Sequence, residues 1–227
     1  MTLVKESTED YLNADICPQT RASPLLKTLL SSTEALLFLL WLLEFGSVSR
    51  IQSHHLPSLM FATVTGTSTG IGRNMAELLL SKGDIVVATA RKPEVLNDLK
   101  AKYPPSQLLT LKLDVDSTQE IKDAFTQAKA AFGRIDVVFN NAGWLILGEI
   151  EATPEEEARK LFQTNFWGAT NVSREAVKFF REDNKPSGGL LITNSSVVGV
   201  AAFPGGGYYV ATKHGKFDLF AHAWSCF

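Results

Sequence analysis

The sequence predicts an α/β fold in which a doubly wound parallel sheet carries helices on both faces. Three observations support this. From about residue 59, short apolar runs alternate with helix-patterned stretches at regular spacing. The run Ile85–Ala90 has almost no polar interruption, as expected of a strand covered on both faces. Glycine, proline and capping residues mark each change of pattern. With 227 residues, 45% of them hydrophobic and 20% charged, the chain can build one such domain around a real core.

Phe61 to Thr65 reads as the first strand, followed by a glycine loop and a helix. That helix is expected to bury Ile71, Met75, Leu78 and Leu79, spaced three and four residues apart, and to stop at Gly83. Ile85 to Ala90 is the second strand, and Pro93 opens the next helix at its first position. Leu108 to Leu113 is the third strand. Ser117 and Glu120 form a capping box for a helix that ends near Gly133. Ile135 to Asn140 is the fourth strand. Thr153, Pro154 and Glu156 then start a long helix running to about Arg181. Leu190 to Thr193 is the fifth strand, and a last helix begins near Gly207. There are no internal repeats or low-complexity tracts.

Residues 1–58 read as an irregular extension ahead of this domain, which takes up 59–227. The apolar run Ala35–Leu43 lies between Glu34 and Glu44 and is far shorter than the roughly 20 residues that span a bilayer. Glu6, Glu9, Asp10 and Asp15 precede it, unlike the basic start of a signal peptide. It is read as a packed or surface helix, with a membrane-surface anchor and a segment foreign to the fold as alternatives. His54 and His55 read as loop histidines, because no carboxylate or cysteine nearby completes a metal site. Lys plus Arg is 22 against 24 for Asp plus Glu, so nothing supplies the basic footprint of a nucleic-acid binder. The two cysteines, Cys17 and Cys226, exclude a disulfide scaffold and point to a reducing compartment, the cytoplasm.

The candidate chemistry begins at Thr65-Gly66-Thr67-Ser68-Thr69-Gly70-Ile71-Gly72, between the first strand and its helix. Gly66 suits a tight turn, Gly70 a close approach to a pyrophosphate, and Gly72 a helix packed onto its strand. The helix N-terminus adds free N–H groups and a positive dipole end. The Gly-Lys-Ser/Thr ending of a nucleoside-triphosphate loop is absent, since Gly72-Arg73-Asn74 follows. Taken alone, such a loop also fits a purely structural turn. At the end of the second strand, Thr89-Ala90-Arg91-Lys92 holds no acid to bond a ribose. Arg91 is placed to pair with a 2′-phosphate, so NADP is expected over NAD; solvated loop charges before Pro93 are the alternative.

Ser195 and Ser196 close the fifth strand, and Tyr208-Tyr209-Val210-Ala211-Thr212-Lys213 follows. Tyr209 and Lys213 are four apart and share a helical face, whereas Tyr208 points elsewhere. An ammonium beside a phenol favours the phenolate, and such a pair can exchange a proton with a carbonyl or alcohol oxygen. A serine hydroxyl could hydrogen-bond the same oxygen. By itself a Tyr–Lys pair on a helix also fits surface decoration.

The glycine loop, Asn140-Asn141-Ala142-Gly143 after the fourth strand, and Ser196 placed thirteen residues before Tyr209 together resemble the short-chain dehydrogenase/reductase family. The resemblance covers about Ala62 to Lys213. It implies a Rossmann fold that binds NAD(P) and a catalytic tetrad of Asn165, Ser196, Tyr209 and Lys213. Asn165 would hold a water for proton relay, Ser196 would orient the substrate, Tyr209 would be the acid/base, and Lys213 would also bind the nicotinamide ribose. Gly66, Thr67, Ser68, Gly70, Ile71, Gly72, Arg91, Asp114, Asn141, Ala142, Gly143, Tyr209 and Lys213 would contact the cofactor, Asp114 at its adenine. The stretch Ala88–Glu94 is similar to a branch acting on lipidic ketones and alcohols. No metal is implied. The helix starting at Tyr209 commonly forms a dimer interface in the family, which implies a homo-oligomer.

After Lys213 the resemblance breaks. His214 to Phe227 do not look like the family's continuation, which includes two further strands. The sheet is therefore expected to lack its last strands, and the chain to be a truncated or alternatively spliced product or an imperfect gene model. Two functions follow. One is a NADP-dependent oxidoreductase acting on a small-molecule carbonyl or secondary alcohol. The other is a non-catalytic nucleotide-binding or interaction protein derived from such an enzyme.

Overall fold

The computed structural model describes residues 59–223, with side chains through residue 217. The expectations for the leading extension, including the apolar run, the two histidines and Cys17, lie outside the described residues, as do those for Cys226 and the side chain of His222. Five parallel strands form one sheet in the order β3-β2-β1-β4-β5. They are β1 (Phe61–Val64), β2 (Ile85–Ala90), β3 (Leu108–Lys112), β4 (Val137–Asn140) and β5 (Leu190–Thr193). The helices are α1 (Gly70–Ser81), α2 (Asn97–Lys102), α3 (Thr118–Phe132), α4 (Glu155–Phe162), α5 (Ala169–Glu182) and α6 (Gly207–Ala223). The chain winds outward from β1 to β3 and then returns to place β4 on the other side of β1. The carboxyl ends of β1 and β4 thus flank the switch point where open α/β sheets hold their ligands.

Each face of the sheet has its own core. On one, α3 and α5 bury Ile121, Phe125, Val172 and Phe179 against Val87, Leu111 and Val138. On the other, Ala76, Leu80, Leu96 and Leu99 close over Val64, Val86 and Ala88. Residues of β1, β2 and β4 therefore face apolar cover on both sides, which explains their uninterrupted apolar runs. Among the described residues no strand pairs with the outer edge of β3 or of β5, and the sheet is short, as expected.

The buried face of α1 differs from the expectation. Gly72, Ala76 and Leu80 are buried, while Ile71 and Leu78 are 59% and 49% exposed. The helix packs so closely on β1 that its contact stripe consists of small residues, which carry little hydrophobic signal; Met75 and Leu79 flank that stripe. Ser117 caps α3 by accepting the Glu120 N–H at 3.3 Å. The Glu120 carboxylate does not complete the box; it takes the Asp114 N–H at 2.8 Å and Lys112 at 2.6 Å, fixing the end of β3. Gly133, at φ 81°, ends α3 in the left-handed region. Pro93 opens a 3-10 turn, Pro93–Leu96, and α2 follows it.

The long helix expected from Pro154 to Arg181 is interrupted. Between α4 and α5, Gln163–Gly168 form a π turn. Gly168 lies against β3's exit loop, where a Cβ would stand 3.0 Å from the Val115 carbonyl oxygen. Such turns recur at functional sites.

Candidate active site

Thr65 leaves β1 and the chain turns at Gly66, φ +69°. A Cβ on Gly66 would stand 3.0 Å from Ala142 Cα, and one on Gly72 would lie 2.4 Å from both the Gly66 carbonyl oxygen and Asn141 Nδ2. Neither position has room for a side chain. Gly70 differs: its φ is +60° and nothing lies within 4 Å of where a Cβ would be. Ser68, Gly70 and Ile71 are exposed, so the start of α1 faces open space. The tight cradle, the open front and the free helix N-terminus fit a dinucleotide pyrophosphate. Thr67 is buried, and its hydroxyl donates to the Thr89 carbonyl at 3.0 Å, bracing the loop against β2.

A polar seam joins the ends of three strands. The buried Thr65 hydroxyl accepts the N–H groups of Asn141 at 2.9 Å and Ala142 at 3.0 Å. Asn141 Nδ2 donates to the Thr65 carbonyl at 2.9 Å, and Asn194 Nδ2 donates to Asn141 Oδ1 at 3.0 Å. Thr65→Val would leave two half-buried N–H groups without an acceptor, at about 1–3 kcal/mol each. Urea unfolding should show that loss, with Thr65→Ser close to the parent.

The π turn presents Asn165, which is buried. Its Oδ1 accepts the Trp144 N–H at 3.0 Å, and its Nδ2 donates to the Trp144 carbonyl at 2.7 Å. Thr212 Oγ1 also lies 3.4 Å from Nδ2 and itself donates to the Tyr209 carbonyl at 2.7 Å. The amide is thus spent on the backbone that follows Gly143. A Cβ on Gly143 would stand 2.9 Å from Asn165 Oδ1, so glycine is required there. Asn165 thus braces the loop after β4 against α6.

On α6, Tyr209 is half-buried and Lys213 is buried. Lys213 Nζ stands 5.6 Å from the centroid of the Tyr209 ring, on the same face of the helix. It donates to the Asn194 carbonyl at 3.2 Å. Burial pushes its pKa down to about 8. Ser196 Oγ accepts the Val198 N–H at 3.4 Å. Ser195 Oγ is buried without a hydrogen-bond partner.

The sequence reading passed over Lys216. It is 3% exposed, and its Nζ donates to the same Asn194 carbonyl at 3.3 Å. Burial and the charge of Lys213 hold its pKa well below the usual lysine range. Its three-residue spacing from Lys213 was the available signal.

Arg91 and Asp114 lie at the outer end of the site, beyond β2 and β3. Arg91 is exposed. Asp114 Oδ1 accepts the Asp116 N–H at 3.1 Å, and Asp116 accepts the Thr164 hydroxyl at 3.1 Å. Desolvation raises the Asp116 pKa, partly offset by the Thr164 bond and by Arg91. At the other end, the loop after β4 exposes Trp144, Leu145, Leu147 and Ile150, and the segment after β5 exposes Val197, Val200 and Phe203. The Gly148 N–H bonds the Gly205 carbonyl at 2.8 Å, lacing the two segments together.

A doubly wound parallel sheet with this glycine loop at its switch point is a Rossmann-type domain. The chain belongs to the short-chain dehydrogenase family, whose model, described as short chain dehydrogenase, matches residues 60–224. It is 40% identical to oxidoreductase calM of Penicillium decumbens over 154 residues, 66% of this chain and 50% of that protein. It is 35% identical to the 3-ketodihydrosphingosine reductase of Bacteroides thetaiotaomicron over 150 residues, 66% of this chain and 52% of the relative. A short-chain dehydrogenase from Streptomyces avermitilis superimposes with a TM-score of 0.68 at 34% identity, covering 74% of this chain and 60% of that one. An alcohol dehydrogenase from Thermococcus sibiricus, complexed with 5-hydroxy-NADP, gives 0.65 at 28%, covering 72% and 69%. The chain thus spans about half the length of the curated relatives it matches.

Proposed function

We propose that this chain carries the cofactor-binding and proton-transfer machinery of a NADP-dependent oxidoreductase acting on a carbonyl or secondary alcohol with an apolar body. The observation that carries the reading is the Lys213 ammonium held over the Tyr209 ring at 5.6 Å, on one helical face and bonded to the Asn194 carbonyl. When bound, the nicotinamide supplies or accepts the hydride. Gly66, Ser68, Gly70, Ile71 and Gly72 would offer the pyrophosphate their backbone and the N-terminus of α1, while Thr67 keeps the loop in place. Arg91 would take the 2′-phosphate and Asp114 the adenine. Asn141, Ala142 and Gly143 would wall the cofactor from the β4 side.

Tyr209 would give its proton to the carbonyl oxygen in reduction and take it back in oxidation. Lys213 keeps its ammonium charge below about 8, over the ring of Tyr209. Ser196 accepts the Val198 N–H, which leaves its own proton to donate to the same substrate oxygen. Asn165 would hold the Trp144 backbone and α6 in register.

The apolar side chains exposed on both laced segments support a lipid-like substrate body. The similarity to the 3-ketodihydrosphingosine reductase of Bacteroides is compatible with that choice. Two cysteines far apart in sequence favour the cytoplasm, and α6 would pack against a second copy of the chain. No described helix is long and apolar enough to cross a membrane.

The test is fluorescence titration of the full chain with NADPH, followed by turnover with a panel of ketones of increasing chain length. Tight NADPH binding and turnover lost in Tyr209→Phe are expected. Binding without turnover, unchanged in that variant, would favour the non-catalytic reading. Arg91→Ala should lower the preference for NADPH over NADH by about 10- to 100-fold, the equivalent of one charge-assisted contact of about 1.5–3 kcal/mol; the ratio of the two dissociation constants reads it directly.

A further inference from the structure

We infer that Lys216 is a tuning residue of the site, competing with Lys213 for the carbonyl oxygen of Asn194 and so governing the charge and position of the ammonium under Tyr209. This rests on the reading of Tyr209 and Lys213 as the proton-transfer pair. The two lysines are three residues apart on α6, and both are buried. Their Nζ atoms lie 3.2 and 3.3 Å from the one acceptor. No carboxylate forms an ion pair with either among the described residues. A buried ammonium without a counter-ion is costly, and two close together are costlier still.

Among the described residues the surroundings supply no relief. The turns packed against this part of α6, Gln163–Gly168 and Val197–Gly199, carry no ionisable side chain. On α4, Glu155 bonds Arg159, and Glu156 and Glu157 bond Lys160. On α6 itself the other ionisable groups with described side chains are Tyr208, Tyr209 and His214, whose ring Nδ1 meets the Val210 carbonyl at 3.1 Å; Asp218 and His222 follow on the same helix, with side chains outside the described residues. Of the two ammonium groups, that of Lys216 is disfavoured both by burial and by the charge of Lys213, so it is the first to lose its proton as pH rises. As pH falls, Lys216 gains a proton. Two ammonium groups then contend for one oxygen, and Lys213 is driven from its place.

Two consequences separate this from a merely structural role. For catalysis, wild-type kcat/KM should fall about tenfold per pH unit below the Lys216 ionisation. Lys216→Met, permanently neutral and of similar shape, should lose that acid limb and keep the activity seen at pH 8. For stability, a lysine whose folded pKa is depressed binds fewer protons folded than unfolded, so stability rises with pH from its folded value toward 10.5. Lys213 contributes to that rise only above about 8.

The experiment compares the full wild-type chain with Lys216→Met by urea unfolding from pH 6 to 9, and by kcat/KM over the same range. The expected result is a higher unfolding midpoint for the variant at pH 7, a flatter pH dependence below 8, and no acid limb. Coincident stability slopes, or an acid limb that persists in the variant, would overturn the inference. If the wild type binds NADPH but turns over no ketone, the proposed activity fails, and the unfolding arm still decides whether Lys216 is held neutral.

Discussion

Tyr209→Phe is expected to lower kcat/KM for carbonyl reduction by about 10²–10⁴-fold, the usual share of a positioned general acid. NADPH affinity should change little, because the glycine loop and Arg91 are untouched. The ring keeps its packing and only the hydroxyl leaves, so the melting temperature should stay close to that of the parent. Lys213→Met should cost activity on the same scale. The pH profile carries the same signature: kcat/KM should decline as pH rises through about 8, where the buried Lys213 ammonium loses its proton. The sign follows from burial, which disfavours the charged form of a lysine. Steady-state assays with NADPH and a ketone between pH 6 and 10 would show this, and a rate still rising at pH 10 would remove Lys213 from the proposed role.

Gly72→Ala should have the largest effect on the cofactor site itself. Its Cβ would lie 2.4 Å from the Gly66 carbonyl oxygen and 2.4 Å from Asn141 Nδ2, so backbone must move. Overpacking of this kind costs about 1–3 kcal/mol or more, which in a chain of this size lowers the melting temperature by several degrees. Moving Gly66 also disturbs the seam to Asn141, so NADPH affinity should drop more than tenfold. Gly70→Ala is the control for packing alone. It meets no atom within 4 Å, and its φ of +60° asks only the left-handed penalty of about 1–2 kcal/mol. Scanning calorimetry of the free protein should place the melting temperature of Gly72→Ala below that of Gly70→Ala; equal shifts would mean the loop does not pack as described.

Local features were readable from sequence. The strand runs, the Ser117 cap and the Gly133 stop each depend on a few adjacent residues. The tight positions Gly66 and Gly72 were legible because a turn and a close helix need glycine. The π turn was not, since an i→i+5 bond leaves no periodic trace; only the fit of Gly168 against Val115 reveals why it sits there. The face of α1 was misjudged because Gly72 and Ala76 make contact by being small. The roles of the Asn165 amide and of Lys216 depend on Trp144 and Asn194, partners far along the chain. Spacing within one helix can suggest a shared face, but it does not identify the carbonyl waiting there.

The seam of Thr65, Asn141 and Asn194 also bears on how such a scaffold can be retargeted. It clamps the strand ends through backbone and amide groups, upstream of both apolar segments. Those segments hang from it as a pair, tied to each other by the Gly148–Gly205 bond. Grafting both together from a relative would therefore import a new preference for substrate while the chassis stays as it is, whereas swapping one alone would cut the tie between them.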